Sequence, residues 1–199
     1  MYKIYSTKKS IGAGAAGGIV AGIVMLVPMM LMMSMMNLPS DLFPKLLGLT
    51  MGLPPDSAAM AGTGLHLVAS IAIGLVFGAV ASSSKLSISS FKKGIGLGII
   101  TGAISFVVLF LPMMMAVLLS SMMNLMVMMN PGAPKEMIMS QLQSMQPMIL
   151  SGSFISHLIY GAVLGTITSL ILRKITCPNC GMNMSRTEFD SHRGTCKVK

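Results

Sequence analysis

The chain is poor in charge, and acidic residues are its scarcest charged type. Only 10% of its 199 residues are charged, five of these are Asp or Glu, and tryptophan is absent. Soluble domains carry about 25% charged residues, so the composition argues against an ordinary water-soluble domain and favours lipid as the main solvent. The acidic residues all lie in loops or in the tail, which leaves no paired carboxylates for acid–base catalysis. Without a nucleophile–base pair, a Walker loop or a dinucleotide fingerprint either, we expect that the protein is not an enzyme.

The same shortage of charge leaves long apolar stretches. A helix needs roughly 20 apolar residues to cross the hydrocarbon core of a bilayer. Stretches of that length occupy residues 11–36, 58–81, 95–129 and 148–172. They predict an all-α membrane protein whose four transmembrane helices form a bundle over residues 1–174, followed by a small tail domain over residues 175–199.

The positive charges mark one side of the membrane. Of the fourteen Lys and Arg residues, only Lys45 and Lys135 lie in the loops after the first and third stretches. The positive-inside rule therefore predicts a multi-pass protein of the cell membrane with cytoplasmic N- and C-termini. The formal net charge of +9 then reflects this topology and contact with anionic lipid head groups, and nucleic acid is not an expected partner.

An internal repeat divides the predicted bundle. Residues 8–14 (KKSIGAG) align with residues 92–98 (KKGIGLG). The same alignment matches Gly18 with Gly102, Pro28 with Pro112, His66 with His157, and Gly74 with Gly165. The chain therefore reads as two copies of a helix–loop–helix unit, over about 8–82 and 92–172, related by an axis along the membrane normal.

Small residues recur at four-residue steps on each predicted helix, as in a glycine zipper. The series are Ser10, Gly14, Gly18, Gly22; Ser70, Gly74, Gly78, Ser82; Gly94, Gly98, Gly102; and Gly161, Gly165, Ser169. In lipid, such faces let helix backbones approach closely, so they predict a compact bundle. Pro28 and Pro112 are each expected to kink or end a helix. Residues 134–146 predict a short amphipathic helix at the membrane surface.

The three cysteines lie together near the C-terminus. Cys177 and Cys180 form a Cys-x2-Cys pair, and His192 and Cys196 follow, four residues apart. Two thiolates from one tight turn, together with His and Cys on one face of a helix, provide the four ligands of a closed structural zinc site. A reduced cysteine pair with a redox role or without metal is the alternative.

The tail resembles the ββα zinc-finger family. Phe189 stands three residues before His192, as the family's core leucine does, and Met184 takes the place of its core aromatic residue. Cys196 replaces the family's last histidine. The resemblance implies a small zinc finger. Cys177 follows Arg173 and Lys174 with only two residues between, so we expect the finger to lie against the membrane as a structural or protein contact. DNA binding is not expected, because a single finger contacts only about 3 bp.

His66 and His157 are the ionisable side chains predicted to lie well inside the spans. Each stands four residues before a small-residue series, so both should point into the bundle. Intramembrane polar residues are functional candidates by default. The simpler interpretation is that they hydrogen-bond between helices and only hold the bundle together.

Methionine is unusually abundant, with 24 residues. Met25, Met29 and Met33 fall on one helix face, and thioethers with imidazoles suit Cu(I). Together with His66 and His157 they outline a candidate soft-metal site. Methionine also serves as flexible apolar filler, which explains most of these positions equally well.

Two functions follow from these observations. The favoured one is a non-enzymatic accessory or structural subunit that packs against other membrane proteins or against its own copies. The alternative is a small transporter or channel for protons or a Cu(I)-like metal that uses the two histidines and the methionine stripe. Transport pathways normally carry more polar residues than this chain has, which favours the accessory role.

Overall fold

The protein consists of long helices joined by short connections. The structure, a computed structural model, describes residues 7–83, 86, 88, 90–172, 174–177 and 180–185. The helices are α1 (Thr7–Met35), α2 (Leu42–Thr50), α3 (Pro55–Ala81), α4 (Phe91–Ser105), α5 (Leu111–Met113), α6 (Leu119–Met129) and α7 (Lys135–Leu172). π-Helical turns at Phe106–Phe110 and Met114–Leu118 join α4, α5 and α6 into one run, Phe91–Met129, which we call the third span.

Four helices in the described part of the chain are long and apolar enough to cross a membrane. They are α1, α3, the third span and α7. α3, the third span and α7 each contain one of the four apolar stretches, and α1 ends one residue before the end of the first, so the prediction of four apolar helices long enough to span a membrane is confirmed. The amphipathic segment 134–146 forms no separate helix, because α7 begins at Lys135 and continues through Pro147.

The two prolines of the predicted spans have different effects. α1 continues past Pro28 to Met35, so this proline does not end the helix. Around Pro112 the third span widens into its two π-helical turns, and the Leu111 N–H bonds to the Phe106 oxygen. A π turn takes up the extra residue where proline interrupts the regular ladder of hydrogen bonds. The chain therefore stays helical on both sides of Pro112.

The four long helices pack in the order α3, α1, α7, α4. α1 contacts both α3 and α7, and α4 contacts α7, whereas α3 and α4 make few contacts with each other. α1 and α7 are therefore the central pair. A space remains beside them, between α3 and the third span.

Small residues allow the backbones of α1 and α3 to touch, and likewise those of α4 and α7. We call these two pairs of helices the outer pairs. A Cβ atom added at Gly14 on α1 would meet the Gly74 oxygen on α3. One added at Gly98 on α4 would meet the Gly161 oxygen on α7. Any larger side chain at these two positions would have to push the helices apart.

The short helix α2 is an element that the hydropathy pattern does not predict. It packs against the start of α3 by close backbone contacts, with Gly48 against Ala58 and Pro44 against Gly62. Leu42, Leu46 and Leu47 are buried on its inner side. α2 therefore covers one end of the space between α3 and the third span.

The described part of the tail is a short hairpin. Strands β1 (Lys174–Thr176) and β2 (Asn183–Ser185) pair antiparallel. Between them the Cys177 N–H donates to the Met182 oxygen over 2.9 Å, and the Gly181 N–H donates to the Cys177 oxygen over 2.8 Å. Gly181 has φ +72°, which glycine adopts without strain.

The resemblance of the tail to the ββα zinc-finger family is wrong. Among the described residues, no group of three or more His, Cys, Asp or Glu side chains could hold a metal ion. A finger needs its helix to bring two further ligands to the cysteine pair, and the hairpin offers Cys177 and Cys180 alone. The predicted ligands His192 and Cys196, and the core residue Phe189, lie outside the described residues.

Candidate functional site: a cavity between α3 and the third span

The space between α3 and the third span is a cavity of about 330 Å³. This volume lies at the lower end of the range for small-molecule sites, ~300–1,000 Å³. The lining residues are Met25, Phe43, Leu47, Leu65, His66, Ala69, Ser70, Ile73, Ser105, Leu109, Phe110, Met113, His157 and Tyr160. All of α1, α2, α3, the third span and α7 therefore contribute to one site.

Both histidines predicted to be functional line this cavity. His66 lies on α3, and its Nε2 donates a hydrogen bond to the Gly22 oxygen of α1 over 3.1 Å. A carbonyl oxygen only accepts, so this bond places the proton of the neutral ring on Nε2. Nδ1 of His66 then carries a lone pair.

His157 on α7 is held differently. Its Nδ1 donates to the Ser153 oxygen of its own helix over 2.7 Å, which leaves the lone pair of the neutral ring on Nε2. The ring packs at 5.5 Å between centroids against both Phe106 and Phe110 of the third span. The hydrogen bond of His66 thus joins two helices, as the structural interpretation expects, whereas that of His157 stays within its own helix.

The nearby hydroxyl groups also donate to backbone oxygens. The Tyr160 hydroxyl donates to the Ser70 oxygen over 2.7 Å. The Ser105 hydroxyl donates to the Thr101 oxygen over 2.8 Å. These bonds satisfy the buried hydroxyl protons and orient their oxygen lone pairs within the wall.

The methionines of the predicted soft-metal site do not all reach the cavity. Met25 lines it, whereas Met29 and Met33 are not among its lining residues. Met33 instead lines a second, wholly apolar cavity of about 20 Å³. The structure thus brings His66, His157 and Met25 together and places the other two methionines elsewhere.

Met113 lines the cavity although the sequence pattern does not predict it as a site residue. The internal repeat could have indicated Met113, because the alignment of Pro28 with Pro112 also matches Met29 with Met113. The repeat alone does not say which of two matched methionines faces the cavity.

Aromatic side chains close the cavity beside α2. Phe43 of α2 stacks on Phe110 with a centroid distance of 6.3 Å and an interplanar angle of 27°. Phe110 in turn stacks on Phe106 at 5.3 Å. Phe110 and the α2 residue Leu47 are both buried, and they belong to one apolar cluster with Leu118.

A second apolar cluster borders the cavity and shares Met25 and Tyr160 with its wall. Phe77, Tyr160 and Leu164 are at most 4% exposed and pack together, with Leu97 of α4 against them. Leu65 of α3 and Leu109 of the third span are 38% and 51% exposed, so the cavity opens laterally between these two helices.

Two of the four predicted zinc ligands, Cys177 and Cys180, are among the described residues. The side chain of Cys177 is buried and that of Cys180 is half-buried in the hairpin turn. His192 and Cys196 lie outside the described residues, so their position relative to this pair is not part of the structure. A zinc ion bound by these four side chains stays a prediction, which zinc analysis of the purified full-length chain tests.

In comparisons with known proteins, no family model, no curated protein and no solved structure matches the chain.

Proposed function

We propose that the chain is a non-enzymatic, multi-pass protein of the cell membrane that acts as an accessory subunit for another membrane component. The observation that carries this proposal is the direction in which the cavity opens. It opens sideways between Leu65 and Leu109, which are exposed, and buried apolar clusters border it elsewhere. A molecule or helix within the bilayer approaches such a site from the side, whereas a solute that crosses the membrane has to reach it from water.

The architecture that we propose for this subunit is a tandem repeat with both termini in the cytoplasm. Its support is the similar packing of the two outer helix pairs. Gly14 of α1 lies so close to Gly74 of α3 that a Cβ atom added to it would meet the backbone of the other helix. Gly98 of α4 lies equally close to Gly161 of α7. In each copy the histidine lies on the second of the two packed helices, His66 on α3 and His157 on α7.

A crosslinking experiment tests the accessory role. A photoreactive residue at Leu109, on the rim, is compared with one at Val107, which is 56% exposed on the same helix but does not line the cavity. We expect position 109 to capture one defined protein in native membranes and position 107 to capture mostly lipid. Mass spectrometry of the products, and of material co-purified in mild detergent, identifies the partner. Equal or absent protein capture at both positions would contradict the proposal.

The alternative, transport of protons or a soft metal, is supported by the two histidines that share the cavity. It is tested by flux into vesicles that contain wild-type, His66→Asn or His157→Asn protein. The accessory role predicts no flux above that of empty vesicles. Flux that disappears in both variants would instead establish transport and replace the accessory role.

A further inference from the structure

The wall of the cavity accepts hydrogen bonds and has few protons to donate. Apart from Ser70, each polar side chain that lines the cavity donates a hydrogen bond to a backbone oxygen. The donated bonds are His66 to Gly22, His157 to Ser153, Ser105 to Thr101 and Tyr160 to Ser70. What these side chains offer to an occupant is therefore lone pairs.

The strongest of these acceptors are the second ring nitrogens of the histidines. Within the described part of the chain, neither Nδ1 of His66 nor Nε2 of His157 has a hydrogen-bond partner. Both rings line the same cavity, and each is held by the bond that its other nitrogen donates to a backbone oxygen. An occupant that gains affinity from this wall needs one or two hydrogen-bond donors, or it has to be a cation.

The rest of the wall favours a neutral donor over a cation. Among the described residues, no acidic side chain lines the cavity, and Asp41, Asp56 and Glu136 are all exposed. A cation buried there would have no counter-charge, and burying an unpaired charge costs far more than burying a hydroxyl group that is hydrogen-bonded. The lateral opening between Leu65 and Leu109 also requires the occupant to be soluble in the bilayer.

The shape of the wall favours a flat ring. Phe43 and Phe110 stack at an angle of 27°, and the His157 ring lies 5.5 Å from that of Phe110. Aromatic surfaces of this kind pack well against another ring in offset or edge-to-face geometry. The aliphatic side chains of Leu65, Ile73 and Leu109 complete the cavity and suit an apolar tail.

We propose that the cavity binds a lipid-soluble molecule with an aromatic ring that carries hydroxyl donors, a molecule of the alkylphenol class. The ring lies against Phe110, its hydroxyl groups donate to Nδ1 of His66 and Nε2 of His157, and its tail reaches the opening between α3 and the third span. This inference rests on the side-opening cavity that the proposed function also uses, but not on the presence of a protein partner.

The test uses 4-hexylresorcinol as the probe and its dimethyl ether as the matched ligand without donors. Binding to the purified full-length chain in mild detergent is measured by titration calorimetry. We expect one diphenol per chain, and an affinity for the ether that is lower by about 10–100-fold, because its methylated oxygens leave the buried acceptors without a donor.

Two conservative variants probe the acceptors without removing the bonds that hold the rings. In His66→Gln the amide nitrogen takes the place of Nε2 and still donates to the Gly22 oxygen. In His157→Asn the amide nitrogen takes the place of Nδ1 and still donates to the Ser153 oxygen. Each variant should weaken diphenol binding by about 10-fold or more and leave ether binding unchanged. Thr63→Val is the control, since Thr63 bonds to its own helix and does not line the cavity.

Several outcomes would overturn the inference. They are the absence of diphenol binding, equal affinity for the diphenol and its ether, and equal effects of the histidine variants on both ligands. Circular dichroism and gel filtration establish that each variant is folded. Cu(I) bound by a chain with all three cysteines replaced by serine, in place of the diphenol, would show a cation site. Binding of the diphenol, together with no protein crosslinked at position 109, would contradict the accessory role but support this inference.

Discussion

The hydroxyl group of Tyr160 on α7 donates a hydrogen bond to the main-chain oxygen of Ser70 on α3 over 2.7 Å. Tyr160 is 2% exposed, and it both lines the cavity and belongs to the second apolar cluster. α3 and α7 belong to different outer pairs of the fold, so this bond joins the two halves of the bundle directly. It also fixes the phenol ring in the wall of the cavity.

Replacing this tyrosine should loosen the contact between the two halves. Tyr160→Phe keeps the ring and removes the hydroxyl group, and we expect it to lower the free energy of unfolding by about 0.6–2 kcal/mol, the usual value of a hydrogen bond between membrane helices. Unfolding of the detergent-solubilised protein by a denaturing detergent, followed by circular dichroism, measures the change. Thr101→Val is the matched control, because the Thr101 hydroxyl bonds to Leu97 of its own helix. A loss of equal size in both variants would contradict the prediction.

The long helices were predictable from the sequence because a bilayer imposes one simple requirement, a long apolar stretch. α1 and the third span end within one residue of the ends of the stretches 11–36 and 95–129, at Met35 and Met129. α2 was not predictable in this way, since its nine residues are too short to span. Its position depends on backbone contact between Gly62 and Pro44, which single residues do not reveal.

The candidate site was only partly predictable for a similar reason. The two histidines stood out because ionisable side chains are rare in apolar helices. Met113 and Phe110 did not, because one more apolar residue in an apolar helix carries no signal. The π-helical turns around Pro112 change which side chains of the third span face inward, and a regular helical period does not describe that change.

Two glycines that lie two residues apart on α4 should respond oppositely to alanine. An added Cβ at Gly98 would meet the Gly161 oxygen, whereas nothing lies within 4 Å of one added at Gly96. We expect Gly98→Ala to destabilise the bundle by about 1–3 kcal/mol, the typical cost of overpacking. Gly96→Ala should leave stability unchanged or raise it by up to ~1 kcal/mol through better helix propensity. Thermal unfolding in detergent compares the two, and equal behaviour would show that α4 and α7 do not pack as described.

The distribution of positive charge predicts the orientation in the membrane. Single cysteines at Ser40 and Lys135, in a chain whose native cysteines are replaced by serine, should react with a membrane-impermeant maleimide added outside intact cells. A cysteine at Phe91, which is 44% exposed beside Lys92, should react only after the membrane is permeabilised. The positive-inside rule requires this pattern, since Lys92 belongs to the lysine-rich side. Labelling of position 91 in intact cells together with protection of position 135 would reverse the topology.

The contact between α2 and α3 leads to a prediction about the cover of the cavity. An added Cβ at Gly62 would meet the backbone oxygen of Pro44, which cannot move without the rest of α2. Gly62→Ala should therefore displace α2, and with it Phe43, while the contacts of α1 with α3 and of α4 with α7 remain. We expect faster amide hydrogen exchange across Leu42–Thr50, measured by mass spectrometry, with little change in the central pair α1 and α7.

Gly64→Ala provides the matched control two residues away, because nothing lies within 4 Å of a Cβ atom added there. It should leave exchange in α2 as it is in the wild type. The same pair of variants tests whether α2 closes the cavity or only lies beside it. If Phe43 and Leu47 close the cavity, Gly62→Ala weakens binding of 4-hexylresorcinol and Gly64→Ala does not. Faster exchange in α2 with unchanged binding would mean that the cavity keeps its shape without α2, and that Phe110 alone forms the surface on which the ring lies.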